Sequence, residues 1–473
     1  MKRPGWTFAI VSIALFMVVL DNLVVTNALP SIRADLGATI QQLEWTVNAY
    51  TLSYAVLLLT GAALGDRFGR RRMFSAGLIL FTGASAAAAL SPDTGFLIAA
   101  RAVQGLGAAI VTPLTLTLLS EAVPGEKRGL AIGVWSAISG IAVALGPVVG
   151  GAVVTGISWH WIFWLNVPIG VVTAPLALAR LSESYGESRS LDLRGLGLVS
   201  AGLLGVVYGV IHAQSAGWTA LTVLGTLALG AALIAAFVAW ELRTRAPMLP
   251  MEFFRRRAFA ATSGVSLAMY FGTFGSVFLL AQFFQVTQHY SALQSGLRIL
   301  PWTAMPMLIA PVAGALSDRI GGRPLMAAGL ALQGSALAWL AAISTPTIAY
   351  GRLVPAFVLA GTGMALVFAP AANTVLASVR AGQAGQASGA TNAIRELGGV
   401  LGVSVLATVF SAHGGYGSPE AYVNGLTSAV WVGAAVLLAG ALVALLVPAK
   451  QATAAVGGRG TEVGQVMPLT SDL

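Results

Sequence analysis

The chain has no cysteine among its 473 residues. Disulfides and thiolate metal sites are therefore excluded, while the redox compartment stays open. Charge is nearly as scarce: Asp, Glu, Lys and Arg make up 9% of the residues, against roughly 25% in a soluble domain. A chain so poor in charge and 57% hydrophobic could not cover itself with polar surface in water. Lysine occurs only at Lys2, Lys127 and Lys450. None stands in a GxxxxGK[ST] setting, so there is no P-loop and a single-chain ATP-driven pump is excluded. The four histidines, His160, His212, His289 and His413, are scattered, and no loop pairs Asp or Glu at metal-ligand spacing. A membrane enzyme such as a lipid-linked transferase is disfavoured, and no metal or organic cofactor is expected. The net charge of +9 does not point to nucleic acid, because no basic cluster is interleaved with aromatics on a soluble segment. Lys2 and Arg3 precede an apolar run, as in a signal peptide, but Asp21 interrupts that run and no A-x-A-like cleavage site follows.

What the chain does have is apolar runs of membrane length. A spanning helix needs about 20 mostly apolar residues. Candidate spans fall at 7–29, 43–65, 73–90, 95–120, 129–154, 160–181, 194–213, 219–241, 259–284, 292–317, 323–343, 351–376, 385–410 and 422–448. The fold class is thus an all-α polytopic membrane protein with fourteen spans. Charge tests that count. With the N-terminus inside and sides alternating, the inner loops hold Lys2, Arg3, Arg67, Arg70, Arg71, Arg72, Lys127, Arg128, Arg189, Arg194, Arg243, Arg245, Arg255, Arg256, Arg257, Arg319, Arg323, Arg380 and Lys450. The outer loops hold Arg33 alone. This is the positive-inside asymmetry, and an error in the count would reverse it downstream. Trp159, Trp161 and Trp164 read as an outer aromatic belt.

The chain also repeats. LGDRFGRRR at 64–72 resembles LSDRIGGRP at 316–324, and Asp66 and Asp318 are 252 positions apart (318 − 66). Each copy follows the second span of its block. Two six-span bundles result, 1–181 and 259–448. Between them lies a linker, 182–258, with an inserted pair of spans, and 449–473 follows as a disordered tail. Paired halves around a site at the midplane are a common transporter plan.

Asp21, in VVLDNLVVTNALP at 18–30, lies inside the first span. A carboxylate at the centre of a span costs about 2.5–3.5 kcal/mol on insertion scales. At 1.5 Å per residue, Asp21 lies about 12 Å from the outer end of its span and Arg101 about 9 Å from the outer end of the fourth. Similar depth makes Arg101 the expected partner. Burial favours a neutral carboxyl and a nearby arginine an ionised one, so a carboxyl held between those pulls can load and release a proton.

On these motifs the chain resembles the major facilitator superfamily and, within it, the fourteen-helix drug:proton antiporters. The resemblance implies the major facilitator fold, two six-helix bundles plus two inserted helices. In GAALGDRFGRRR (61–72) it makes Asp66, Arg67, Arg70 and Arg71 a cytoplasmic gate, with Glu121 as partner of Arg70. It makes Asp318 and Arg319 a weaker second copy, because Gly322 replaces the arginine. In RAVQGLGAA (101–109) it gives Arg101 a role in proton coupling beside Asp21. In GIAVALGPVVGG (140–151) it makes Gly140, Gly146, Pro147, Gly150 and Gly151 a helix characteristic of exporters, Ala142 standing where a glycine is usual. It implies no enzyme activity but proton-coupled antiport of lipophilic or cationic small molecules such as antibiotics. A same-fold carrier of lipid or siderophore is the alternative. The expected setting is the cell membrane, with both termini cytoplasmic. The expected partners are lipid bilayer, substrate and protons, and the chain is read as a monomer.

A cavity for such substrates needs aromatics and a few polar groups. Asn48, Tyr50, Tyr54, Gln104, Trp135, Tyr270, Phe274, Phe368 and Asn373 are the candidates. Glu396 is a possible second acid, at a place where the family usually has an uncharged residue. Its neighbour Arg395 faces elsewhere, because adjacent residues on a helix do not share a face.

Overall fold

Each short polar break ends one helix and starts the next. The computed structural model describes residues 4–123, 125–186, 192–244, 247–379 and 384–449. The expected charges Lys2, Arg3, Arg189, Arg245, Arg380 and Lys450 and the tail from 450 lie outside the described residues, as do the side chains of Lys127, Arg128 and Asp318. The long helices are Pro4–Leu36 (α1), Ile40–Phe68 (α2), Arg70–Ala89 (α3), Thr94–Ala122 (α4), Gly125–Gly156 (α5), Asn166–Arg180 (α6), Leu193–Ala216 (α7), Leu221–Glu241 (α8), Arg257–Gln282 (α9), Ala292–Thr303 continued by Met305–Ile320 (α10), Gly322–Ile343 (α11), Tyr350–Ala377 (α12), Ala384–His413 (α13) and Pro419–Ala444 (α14). Among the described residues thirteen spans are long and apolar enough to cross a membrane, and α2 makes a fourteenth when its two parts, bent by 52°, are read together.

Local chemistry sets the ends. Thr39 and Gln42 close a capping box on α2, satisfying two backbone donors at once. The turns between α2 and α3 and between α10 and α11 are single glycines, Gly69 (φ 103°) and Gly321 (φ 85°). Positive φ admits glycine at no steric cost. The two turns are 252 positions apart (321 − 69), the offset of the repeat. α1 runs past the expected end at residue 29 to Leu36, because Pro30 forfeits one backbone bond and the Ser-Ile-Arg-Ala-Asp-Leu that follows still supports a helix. α10 breaks at Ala304, between Pro301 and Pro306. α9 ends in a π-helical turn, Phe283–Thr287.

α1–α6 pack into one bundle and α9–α14 into another. α7 lies against both α2 and α13, and α8 packs on α7. Gly202, Gly205 and Gly230 bring α7 and α8 into backbone contact, as small residues do between membrane helices. Near its far end α7 is tied to both bundles: Gln41 Nε2 donates to the Ile211 carbonyl (3.3 Å) and Thr408 Oγ1 to the Val210 carbonyl (3.2 Å).

The two bundles meet toward the end opposite the arginine-rich loops. A Cβ on Gly151 would fall 2.3 Å from the Ala292 carbonyl oxygen, and one on Gly296 would fall 2.1 Å from that of Pro147. Leu293 N–H donates to Thr155 Oγ1 (3.0 Å). From the π-helical turn, Gln285 Nε2 donates to the Asn27 carbonyl (3.1 Å). Between α2 and α13, Asn48 Nδ2 donates to Ser404 Oγ (2.9 Å). At the rim the Arg33 guanidinium lies 3.6 Å over the Tyr416 ring, whose hydroxyl donates to Gln282 Oε1. Burial pushes the Tyr416 phenol well up, so it stays a donor. One expectation for this rim needs correcting. Trp159 is not part of an exposed belt: it is buried, and its Nε1 donates to Asp35 Oδ2 (2.8 Å), whereas Trp161 is exposed.

Candidate functional site

Asp21 and Arg101 touch. Arg101 NH1 lies 2.5 Å from Asp21 Oδ2, and both side chains are fully buried. The other carboxylate oxygen accepts from Gln104 Nε2 (2.9 Å) and from Asn166 Nδ2 (2.6 Å). Gln104 Nε2 also donates to Ser85 Oγ (2.8 Å), while its Oε1 accepts from Arg101 NH1 (2.7 Å). Arg101 Nε donates to the Thr46 carbonyl (3.2 Å). Its guanidinium lies 4.2 Å from the Tyr50 ring centre and 5.7 Å from that of Phe163. A cation over an aromatic face in a dry site gains roughly 2 kcal/mol. The burial cost of the carboxylate is thus offset by a partner charge and two amides. The knot draws on α1, α2, α3, α4 and α6, five of the six helices of the first bundle.

Tight helix packing makes the knot possible. A Cβ on Gly105 would fall 2.3 Å from the Tyr50 carbonyl, and one on Gly61 2.1 Å from the Ala109 carbonyl. α2 and α4 therefore run with their backbones touching, so side chains from both reach α1.

Among the glycines of 140–151, Gly146 packs on Leu23 and Gly150 on the Val24 backbone, both in α1, and Gly151 packs on α10. Pro147 presents its carbonyl to Asn27 Nδ2 and to Gly296. Gly140 meets nothing within 4 Å, so close helix approach does not explain it.

At the arginine-rich end, Arg70 bonds Asp66 through Nε (2.9 Å) and NH2 (2.7 Å) and also bonds Glu121. These contacts join α2, α3 and α4 within the first bundle. Arg71 reaches elsewhere: its backbone N–H donates to Glu183 Oε1 (2.9 Å) and its side chain lies 3.5 Å from the same carboxylate. Glu183, Ser184 and Gly186, at the start of the linker, are thereby laid along the α2–α3 turn, with Arg70 N–H on the Ser184 carbonyl and Gly186 N–H on that of Asp66. Arg67 and Arg319 are exposed, Arg67 over the Phe68 ring.

The substrate candidates divide. Tyr50 and Gln104 belong to the Asp21 knot. Asn48 bridges the bundles. Trp135 Nε1 donates to Thr115 Oγ1 (3.2 Å), and Asn373 is exposed. Tyr270, Phe274 and Phe368 form one stack, with ring centres 5.3 and 6.5 Å from Tyr270. Tyr54 stacks on Tyr50 at 6.1 Å. Glu396 stands midway along α13, with its Oε2 buried and without a hydrogen-bond partner among the described residues.

Sequence reasoning missed Asn166 and Glu44. Asn166 is an isolated amide about 9 Å inside the span expected at 160–181, so the depth argument that paired Asp21 with Arg101 could have found it. Glu44 is fully buried although it opens a span, and no pattern in the sequence marks it.

The sequence profile described as Major Facilitator Superfamily matches residues 11–403. The chain is 38% identical to the cephamycin export protein CmcT of Amycolatopsis lactamdurans, over 93% of this chain and 91% of that one. It is 36% identical to the multidrug resistance protein Stp of Mycobacterium tuberculosis (86% and 76%) and 33% identical to the tetracenomycin C resistance and export protein of Streptomyces glaucescens (88% and 78%). Among solved structures, a bacterial homolog of the lysosomal transporter Spinster, inward-facing and unoccupied, aligns with a TM-score of 0.66 at 16% identity, covering 94% of this chain and 96% of that one. A POT family transporter aligns at 0.68 and 14%, covering 93% and 95%. At these identities the structural likeness concerns the fold.

Proposed function

The chain belongs to the Major Facilitator Superfamily and is a multi-pass membrane transporter, not an enzyme, with export proteins as relatives; we propose that it exports lipophilic or cationic small molecules in exchange for protons. Its place is then the cell membrane, with the arginine-rich end and both termini cytoplasmic. The bundles, joined at the far end, then have the arrangement of an inward-facing state.

The observation that carries the coupling is the saturated carboxylate of Asp21. Each of its oxygens accepts, and Arg101 supplies the countercharge. Adding a proton turns an acceptor into a donor and removes the charge that holds Arg101. The O–H then faces N–H groups, and Arg101 must move. Thr46 and the Tyr50 ring remain as its alternative contacts. Because five helices meet in this knot, undoing it lets them shift against one another, and restoring it expels the proton. Protonation is thereby linked to a rearrangement of the first bundle.

Asp21→Asn keeps size and polarity but cannot titrate. In proteoliposomes it abolishes gradient-driven efflux and the accompanying proton flux, while substrate still binds. Full gradient-driven efflux by this variant would overturn the assignment.

A further inference from the structure

The inserted pair α7–α8 is closed by its turn at one end, and its other end lies on the arginine-rich side. There the same triplet, acid–leucine–arginine, occurs on both helices: Asp192-Leu193-Arg194 where α7 starts and Glu241-Leu242-Arg243 where α8 ends. The acids face the protein. Asp192 Oδ1 accepts from Gly195 N–H (2.8 Å) and Trp240 Nε1 (2.9 Å), and Glu241 Oε2 accepts from Leu249 N–H (3.1 Å). They lie against one glycine: a Cβ on Gly195 would fall 2.5 Å from Asp192 Oδ2 and 2.8 Å from Glu241 Oε1. The arginines are exposed. Among the described residues neither has a carboxylate within ion-pair distance, although each has an acid two positions away.

Trp240 brings the two arginines to one place. The Arg194 guanidinium lies 5.2 Å from its ring centre, and Arg243 N–H donates to its carbonyl (2.9 Å). The leucines beside them, Leu193 and Leu242, are each 66% exposed. Leucines so bare at the end of a membrane span lie against acyl chains, which sets the adjoining guanidiniums and the indole at headgroup level. A phosphodiester suits this surface: guanidinium forks match phosphate oxygens in shape and charge, and the leucines meet the chains below. Basic pockets between membrane helices hold anionic headgroups by the same means.

We propose that Arg194 and Arg243 bind the phosphate headgroup of an anionic phospholipid on the arginine-rich side, and that this lipid staples α7 to α8 at the end without a turn.

Native mass spectrometry of the purified full-length protein, titrated with dioleoylphosphatidylglycerol or dioleoylphosphatidylcholine, reads lipid retention directly and involves no transport. The wild type is expected to hold phosphatidylglycerol in preference to phosphatidylcholine. Arg194→Gln with Arg243→Gln should weaken phosphatidylglycerol at least about tenfold and change phosphatidylcholine by less than about twofold. Both side chains are exposed, so the fold tolerates the change, and Arg194→Lys with Arg243→Lys should recover part of the loss. Arg255→Gln with Arg257→Gln removes two exposed charges from the same side and should stay within about threefold of the wild type. Glycerol 3-phosphate, which has the phosphate without the chains, should not displace the lipid at equal concentration. Equal retention of the two lipids by the wild type, unchanged phosphatidylglycerol binding by the Arg194/Arg243 variant, or an equal loss in the Arg255/Arg257 variant would each overturn the site. Displacement by glycerol 3-phosphate would make it a site for free phosphate and overturn the lipid.

Discussion

Gly151 is where a single methyl group should move the whole molecule. It faces the Ala292 carbonyl oxygen across the junction of α5 and α10, and a Cβ there would come within 2.3 Å, with Leu293 Cα at 2.6 Å. Ordinary contact begins near 3.4 Å, so Gly151→Ala requires the bundles to part by about 1.1 Å at that end. The obstruction is backbone, which cannot rotate aside. Overpacking of this kind costs about 1–3 kcal/mol, and the cost falls only on the state in which these helices touch. The ratio of closed to open forms at this end should therefore fall about 5- to 150-fold, which is visible when the states differ by a few kcal/mol. The absence of native cysteine permits two clean spin labels, one at exposed Ile157 and one at exposed Ser418, on opposite sides of the junction. Double electron–electron resonance should show a longer-distance population growing in Gly151→Ala. Gly140→Ala, whose Cβ meets nothing within 4 Å, should leave the distribution as in the wild type. Identical distributions for Gly151→Ala and wild type would refute the idea that this junction sets the conformation.

Other expectations concern the knot and the arginine-rich end. Asn166→Leu removes a donor from a buried carboxylate, at a cost of about 1–3 kcal/mol. Thermal unfolding in detergent should show the loss, and it should shrink in an Asp21→Asn background; equal losses in both backgrounds would separate Asn166 from Asp21. Arg70→Ala removes the cation that Asp66 and Glu121 both bond. These groups are partly exposed, so the stability cost should be only about 1 kcal/mol, while transport falls sharply at normal expression. Transport at the wild-type rate would remove Arg70 from the working parts.

The helices and the repeat were legible because both follow from composition along the chain: apolar length, arginine spacing and a motif copied at a fixed offset. The Asp21–Arg101 pair was legible for a related reason, since depth can be counted in residues. Rotation about a helix axis could not be counted that way. Tyr50 and Gln104 look like cavity residues in the sequence, but each is turned toward the knot, with Tyr50 under the guanidinium and Gln104 on the carboxylate. Gly140 looks like part of a packing motif because it shares a helix with Gly146 and Gly150, yet it faces open space. The wrap of Glu183–Gly186 onto the α2–α3 turn depends on backbone groups, which side-chain identity does not report. Glu44 lies at a span boundary, where a charge usually meets water, and nothing local shows that the neighbouring helices cover it.

The position of α7 bears on how a lipophilic molecule would come and go sideways. Two lateral seams run between the bundles, one along α2 and α13 and the other along α5 and α10. The inserted pair roofs the first, since α7 lies in its groove and α8 lies outward of α7. Among the described residues no helix covers the second in the same way. The bilayer therefore sees an asymmetric object, shuttered on one flank. A path to the hydrocarbon meets less cover on the α5–α10 flank, and there Gly151 and Gly296 mark the end at which the bundles touch.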